Sequence, residues 1–284
     1  MSTHTNPLYI SDLDGTLLRN DATLSPYSRK ALMRLLDQGL SFTVASARSV
    51  SAIRSFLQGI SLPLPVIDCN GAFISDLDSG RHHIINSLDT PLVQDVLQCM
   101  LDQEHMPFIS AFDGRQDRLY YNEMLNQGMQ WYLDDRLRNG DRRLKQISDI
   151  TRCRDDQIVG LTVIGKLPAL TRLNHQLQLC FADRLVRHLQ ENFYSPGWFW
   201  LTIQDCKATK DQAIATLIET LGYQDRQLVV FGDHSNDIKM FQIAHRRIAV
   251  ANAIAEVKDL ATEIIASNEN DGVMLFIENE WLCS

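Results

Sequence analysis

The chain has 284 residues and a formal net charge of −8. It is long enough for two domains that each bury a core, and it lacks the basic footprint that a nucleic acid partner requires. No apolar run approaches the ~18 residues of a membrane span, and the polar segment from Met1 to Pro7 has neither the basic start nor the apolar stretch of a secretory signal. Six cysteines (Cys69, Cys99, Cys153, Cys180, Cys206, Cys283) form no Cys-x-x-Cys pair, which points to reduced, buried thiols in a cytoplasmic protein rather than to a disulfide framework or a zinc site.

In chain order, Leu8 to Ser11 is an apolar run ended by Asp12 and Gly15, a buried strand breaking into a loop. Ser25 and Pro26 open a helix as N-cap and first helical residue, Ala31, Leu32, Leu35 and Leu36 mark its buried face, and Gly39 closes it. A strand from Leu40 to Ala45, a helix from Val50 to Gln58, a strand from Val66 to Asp68 and a turn at Asn70-Gly71 follow. This β-α-β-α-β run predicts a parallel sheet with right-handed crossovers. From Ile84 to Trp198 the rhythm changes: a helix over Thr90 to Leu101, strands over Phe108 to Phe112 and Arg118 to Tyr121, a strand over Ile158 to Ile164 and a helix over Pro168 to Phe181. The earlier grammar then returns with a helix from Lys210 to Leu221 and a strand from Leu228 to Gly232. A helix from Asp237 to Ala244, a strand from Ile248 to Ala251, a helix from Ile254 to Ala261 and the pair Ile264-Ile265 complete it. The pattern predicts an α/β fold, a Rossmann-like parallel-sheet core from residues 1–83 and 199–284, with an inserted α+β domain at 84–198.

Asp12 and Asp14 lie two apart at the end of an extended run, a spacing that turns both side chains to one face. Two carboxylates this close resist joint ionisation, so the pair implies a hard metal ion or one raised pKa; solvated loop acids and helix-capping acids show the same spacing. Gly15 permits close backbone approach, and the amides from Leu13 to Thr16 can form an anion cradle. Gly232-Asp233 repeats the arrangement after a second apolar strand, which makes Asp233 a candidate metal ligand; Asp237 is a further site acid or the cap of the next helix. Open parallel sheets bind ligands beyond the carboxyl ends of strands where chain order reverses, so Asp12 and Asp233 converge if the second half folds back beside the first. Ser46 ends the second strand and is either a hydroxyl donor to a phosphoryl oxygen or the N-cap of the following helix. Lys210 stands at a helix start, where the macrodipole disfavours a cation unless an anion is close; Lys207 competes with it. The tandem His82-His83 reads as a surface or hinge feature, because neighbours on a strand point oppositely.

Together these segments resemble the four motifs of the haloacid dehalogenase superfamily, and the chain looks most like its Cof-type sugar-phosphatase branch. Asp12-Leu13-Asp14-Gly15-Thr16-Leu17-Leu18 stands at the first motif, Ser46 at the second, Lys210 at the third, and Gly232-Asp233 with Asn236-Asp237 at the fourth. Asn70-Gly71-Ala72, Asn252-Ala253, Ser267-Asn268 and Asp271-Gly272-Val273 match further segments, whereas Ala47 and Ala251 stand where glycine is usual. The resemblance implies a magnesium-dependent phosphatase acting on a small phosphorylated metabolite, sugar phosphates first, with a cap domain in the insertion between Ser46 and Lys210 selecting the substrate. Asp12 would be the nucleophile that forms an aspartyl-phosphate, and Asp14 the proton-transfer acid and base. Mg2+ would be bound by the Asp12 carboxylate, the Asp14 main-chain carbonyl and the Asp233 carboxylate. Ser46, Lys210 and Asn236 would contact phosphate, with Asp237 orienting Lys210 or a metal-bound water. Two other functions share these motifs: a phosphomutase or phosphotransferase that passes the phosphoryl group from Asp12 to another hydroxyl, and a non-catalytic phospholigand-binding regulator.

Overall fold

The computed structural model describes residues 6–153, 156–192 and 195–282. Cys283 and most of the amino-terminal segment read above for a signal lie outside these described residues. The chain divides into two compact units, Met1–Ile84 with Thr209–Ser284, and Ile85–Ala208.

In order, the chain forms β1 (Leu8–Ser11), α1 (Pro26–Asp37), β2 (Phe42–Val44), α2 (Val50–Phe56), β3 (Val66–Asp68), β4 (Phe73–Ser75) and β5 (His82–Ile85). Next come α3 (Thr90–Leu101), β6 (Phe108–Phe112), β7 (Asp117–Tyr121), α4 (Gln127–Arg138), β8 (Leu144–Gln146), β9 (Gln157–Gly165), α5 (Leu167–Phe181), β10 (Leu185–Glu191) and β11 (Phe199–Asp205). The last stretch holds α6 (Lys210–Leu221), β12 (Leu228–Gly232), α7 (Ile238–Ile243), β13 (Arg246–Val250), α8 (Ala255–Leu260), β14 (Glu263–Ile265) and α9 (Gly272–Leu282).

The first unit is built on a parallel sheet in the order β14-β13-β12-β1-β2. β1 lies between the two halves of the chain, with Ser11 opposite Phe231 on one side and Val44 on the other. A bridge between Ala45 and Ile67 brings β3 alongside β2, and β3 then turns into a small sheet with β4 and β5. Every residue of β1, β2 and β12 is buried, the mark of parallel strands covered on both faces. Each fully buried Ile or Phe there, such as Ile10 and Phe231, contributes about 1.5–3 kcal/mol of transfer free energy. α1 starts where its sequence dictates: the Ser25 hydroxyl accepts the Ser28 amide at 2.9 Å and Pro26 supplies the first helical residue. His82 reaches inward, its Nδ1 2.7 Å from Ser75 Oγ and its ring stacked on Phe73, while His83 is exposed.

The second unit is a six-stranded sheet in the order β10-β11-β9-β6-β7-β8. Its strands alternate with period two: Ile109, Ala111, Leu161, Val163, Leu201 and Ile203 join the core of α3 and α5, whereas Phe108, Ile164 and Trp200 join Met129 and Leu133 of α4.

Two expectations need correction. The return to the first unit falls at Thr209, not after Trp198, because β11 pairs with both β9 and β10 and completes the second unit's sheet. Among the described cysteines only Cys153 is buried; Cys180, at the end of α5 past its last core residue Leu177, and Cys206, in the loop after β11, are exposed. No helix of the described residues is long and apolar enough to cross a membrane.

Candidate active site

The residues singled out from the sequence gather at the carboxyl ends of β1, β2 and β12. Asp12 leaves β1 with its amide bonded to the Phe231 carbonyl at 3.0 Å, so the nucleophile candidate is tied to β12 through the backbone. Its carboxylate meets Lys210, whose Nζ lies 2.5 Å from Asp12 Oδ1 and 2.7 Å from Asp237 Oδ1. These groups are almost sealed from water: Asp12 is 5%, Lys210 2% and Asp237 0% exposed. The other oxygen of Asp237 accepts the amides of Asp233 and His234 at 2.9 and 3.0 Å. Asp237 therefore has its acceptors occupied, by one ammonium and two amides, and it locks the turn after β12 to the lysine. Lys207, the competing lysine, is exposed in the loop after β11.

Asp233 faces the first loop. Thr16 Oγ1 donates to Asp233 Oδ1 at 2.8 Å. Gly15, at φ +77°, passes so close that a Cβ there would sit 2.4 Å from Asp233 Oδ2, so glycine is needed both for the left-handed backbone and for the space. The Thr16, Leu17 and Leu18 amides all turn back to the Leu13 carbonyl, at 3.2, 3.0 and 2.8 Å. The expected anion cradle from Leu13 to Thr16 thus loses the Thr16 amide to an internal turn.

Asp14 leaves the strand direction. Arg48 holds it in a two-pronged ion pair, Nε to Oδ2 at 2.9 Å and Nη2 to Oδ1 at 2.7 Å, with the Asp14 side chain 42% exposed. The guanidinium also lies over the Phe56 ring at 4.8 Å. Arg48 is the residue that sequence reasoning passed over, although it stands in the second motif two positions after Ser46.

Ser46 is fully buried. Its Oγ accepts the Arg48 amide at 3.1 Å, and the N-cap of α2 is Ser49, whose neighbour Val50 is held by Asp68 at 3.1 Å. The reading of Ser46 as helix N-cap is therefore set aside, because the helix begins four residues later. The turn after β3 is stitched to this loop by the Asn70 amide on the Ser46 carbonyl at 2.8 Å, and Asn236 Nδ2 reaches Asn70 Oδ1 at 3.3 Å. Gly71, at φ +97°, packs on the Thr209 backbone, 2.4 Å from a built Cβ, which sets this turn against the start of α6.

The electrostatics show a site with too much negative charge for one lysine. Burial raises the Asp12 carboxyl well above its ordinary range; Lys210 pulls it down, while Asp237 and Asp233 push it up. Asp233 is pushed up to about 7 by burial first and the Asp237 charge second, against the Thr16 hydrogen bond and Lys210. Burial alone would depress the Lys210 ammonium, yet Asp12 and Asp237 outweigh it and raise its pKa.

Carboxylate oxygens of Asp12, Asp233 and Asp237 lie within 4.8 Å of one another. Since Asp237 is already committed, Asp12 and Asp233 are the pair left to hold a cation. An all-oxygen donor set with raised acid pKa values suits a hard divalent ion such as Mg2+.

The family model of haloacid dehalogenase-like hydrolases matches residues 9–277. The chain is 26% identical to the 5-amino-6-(5-phospho-D-ribitylamino)uracil phosphatase YwtE of Bacillus subtilis, covering 94% of this chain and 95% of that protein. It is 27% identical to the pyridoxal phosphate phosphatase YbhA of Escherichia coli, again over 94% and 95% of the two. A haloacid dehalogenase-like hydrolase from Bacteroides thetaiotaomicron superposes with a TM-score of 0.79 at 22% identity, covering 97% of this chain and 99% of that one.

Proposed function

The chain belongs to the haloacid dehalogenase-like hydrolases, whose curated relatives above are phosphatases, and on that premise we propose that it hydrolyses small phosphate monoesters with Mg2+, through a phosphoryl group carried on Asp12. The observation that carries the reading is the buried bridge of Lys210 between Asp12 and Asp237, beside Asp233. A carboxylate held next to a fixed cation at the sheet's switch point supports the reading of Asp12 as a nucleophile.

In this mechanism an Asp12 oxygen attacks phosphorus; the new O–P bond forms as the ester's P–O bond breaks, and the leaving oxygen takes a proton from the Asp14 carboxyl. Water then attacks the aspartyl-phosphate, Asp14 takes its proton, and inorganic phosphate departs with Asp12 restored. Arg48 holds the Asp14 carboxyl in place through two bonds, and the exposed edge of Asp14 gives it access to water. Lys210, the Ser46 hydroxyl and Asn236 neutralise or bind the phosphoryl oxygens, and Asp237 keeps the Lys210 ammonium on Asp12. The Asp12 and Asp233 carboxylates, with the Asp14 main-chain carbonyl, would hold Mg2+, which supplies charge neutralisation and polarises the phosphoryl group.

The unit Ile85–Ala208 is assigned the role of a substrate-selecting cap, and sugar phosphates are the first substrates to try, alongside the esters named for the two relatives. The test is turnover of an aryl phosphate with and without Mg2+ by the wild-type protein and Asp12→Asn. Release of inorganic phosphate by the wild type, lost in the variant with folding intact, supports the reading. Activity retained by Asp12→Asn removes the nucleophile, and phosphoryl transfer to an added alcohol without free phosphate removes hydrolysis.

A further inference from the structure

Asn252 stands in the turn after β13 with its side chain at the surface, yet both ends of its carboxamide are spent on the site loop and its support. Nδ2 donates to the Gly15 carbonyl at 2.7 Å, and Oδ1 accepts the Asn268 amide at 3.0 Å. Asn268, 2% exposed, donates through Nδ2 to the Leu18 carbonyl and to Asn20 Oδ1, each at 3.0 Å. The two asparagines form a splint that grips the loop at Gly15 and at Leu18, either side of the amides that converge on the Leu13 carbonyl.

The Gly15 carbonyl and the Thr16 amide belong to one rigid plane. Holding that oxygen therefore leaves the plane a single orientation, with the Thr16 amide turned to the Leu13 carbonyl at 3.2 Å and the Thr16 hydroxyl 2.8 Å from Asp233 Oδ1. A Cβ added at Gly15 would sit 2.4 Å from Asp233 Oδ2, so the loop backbone runs close against this carboxylate. Rotation of this one peptide would disturb both contacts that the loop makes with Asp233.

We propose that Asn252 is a positioning residue for the Asp233 side of the site, acting through the Gly15–Thr16 peptide. The inference rests on the reading of Asp233 as a site carboxylate. It says that an exposed side chain, distant in sequence from the first loop, sets the geometry in which the loop meets the cation-holding pair.

The experiment uses the full-length protein, Asn252→Asp, which places a carboxylate oxygen against the Gly15 carbonyl, Asn252→Ala, and Asn270→Asp as control. Asn270 is exposed, and its side-chain Nδ2 donates to Ser267 Oγ. Hydrogen exchange of the metal-free proteins, read by mass spectrometry, should show peptides containing Gly15 to Leu18 exchanging about tenfold faster in both Asn252 variants, the effect of one lost hydrogen bond. The rest of the protein, and the control, should match the wild type. With an aryl phosphate, the Mg2+ concentration for half-maximal turnover should rise about tenfold while the KM for the ester changes little. Unchanged exchange in both variants overturns the proposal, as does faster exchange spread across β13 and β14 with the Mg2+ dependence unmoved, the sign of a merely structural role. Asn252→Ala carries the test if Asn252→Asp does not fold. Absence of turnover by the wild type would defeat the proposed function, and the exchange measurement would still decide the role of Asn252.

Discussion

Removing the cation from the buried bridge is the sharpest perturbation of this site. In Lys210→Met the side-chain volume is nearly kept, but Asp12 and Asp237, 5% and 0% exposed, lose the counter-charge that they share. Breaking a buried ion pair from one side costs about 3–5 kcal/mol, and at about 2–4 °C per kcal/mol for a unit of this size that lowers Tm by roughly 6–20 °C. The pH dependence has a definite sign. Without the lysine the Asp12 carboxyl, already raised by burial, rises further above its unfolded value, so the folded variant binds protons more tightly than the unfolded chain. Its stability is then largest in acid and falls as pH rises, by about 1.4 kcal/mol per pH unit for each titrating group. Urea denaturation near pH 5 and near pH 8 should therefore find the gap from wild type widest at the higher pH. The double variant Asp12→Asn with Lys210→Met should regain part of the loss, because one of the two uncompensated charges is gone while Asp237 keeps its own. A Lys210→Met protein within about 1 kcal/mol of wild type near pH 8, or a gap that ignores pH, would refute the electrostatic account of the bridge.

Gly15→Ala should raise the Mg2+ concentration for half-maximal turnover by about 10–100-fold, through a left-handed backbone strained by about 1–2 kcal/mol and a methyl pressed on Asp233; an unchanged Mg2+ titration counts against Asp233 as a ligand. Arg48→Ala should lower kcat by about 10–100-fold by releasing Asp14, yet shift stability by under about 1 kcal/mol because the pair is partly exposed; slowed turnover with near-normal melting is the expected pair of readings. In the metal-free wild type, the raised carboxyl of Asp233 contributes stability that is present below pH ~4 and is lost as pH climbs through about 7. Added Mg2+ should accordingly raise Tm much more near pH 8 than near pH 5, and equal shifts would argue that the cation does not meet this carboxylate.

The central strands of the sheet were legible because they are short, largely apolar and followed by acid, as at Ser11-Asp12 and Gly232-Asp233. The α1 start was legible from Ser25-Pro26 for an equally local reason. What stayed hidden depends on partners remote in sequence. Arg48 reaches Asp14 across 34 positions and Asn252 reaches Gly15 across 237, and no periodicity records such a pairing. Ser46 reads equally as a phosphate-binding hydroxyl or as a helix cap, because serine before a helix is often a cap, and the start of α2 at Val50 sets the cap reading aside. The boundary expected after Trp198 fell just before β11, a segment not read as a strand; pairing with β9 and β10 puts it in the second unit.

The position of β1 in the sheet bears on biosynthesis. Leu8 pairs with Leu228, so more than two hundred residues must be synthesised after β1 before its second neighbour exists. At about 5–20 residues per second this delay is roughly 10–40 s. Ile85–Ala208, contiguous in the chain and closed on its own sheet, can fold on the ribosome in that interval. The strand bearing Asp12 stays half-paired meanwhile, with Lys210, Asp233 and Asp237 still to be made. The nascent chain therefore passes most of its synthesis without the full set of residues proposed for the active site, and a message truncated before β12 yields a fragment with an open sheet edge, of the kind that chaperones and proteases recognise.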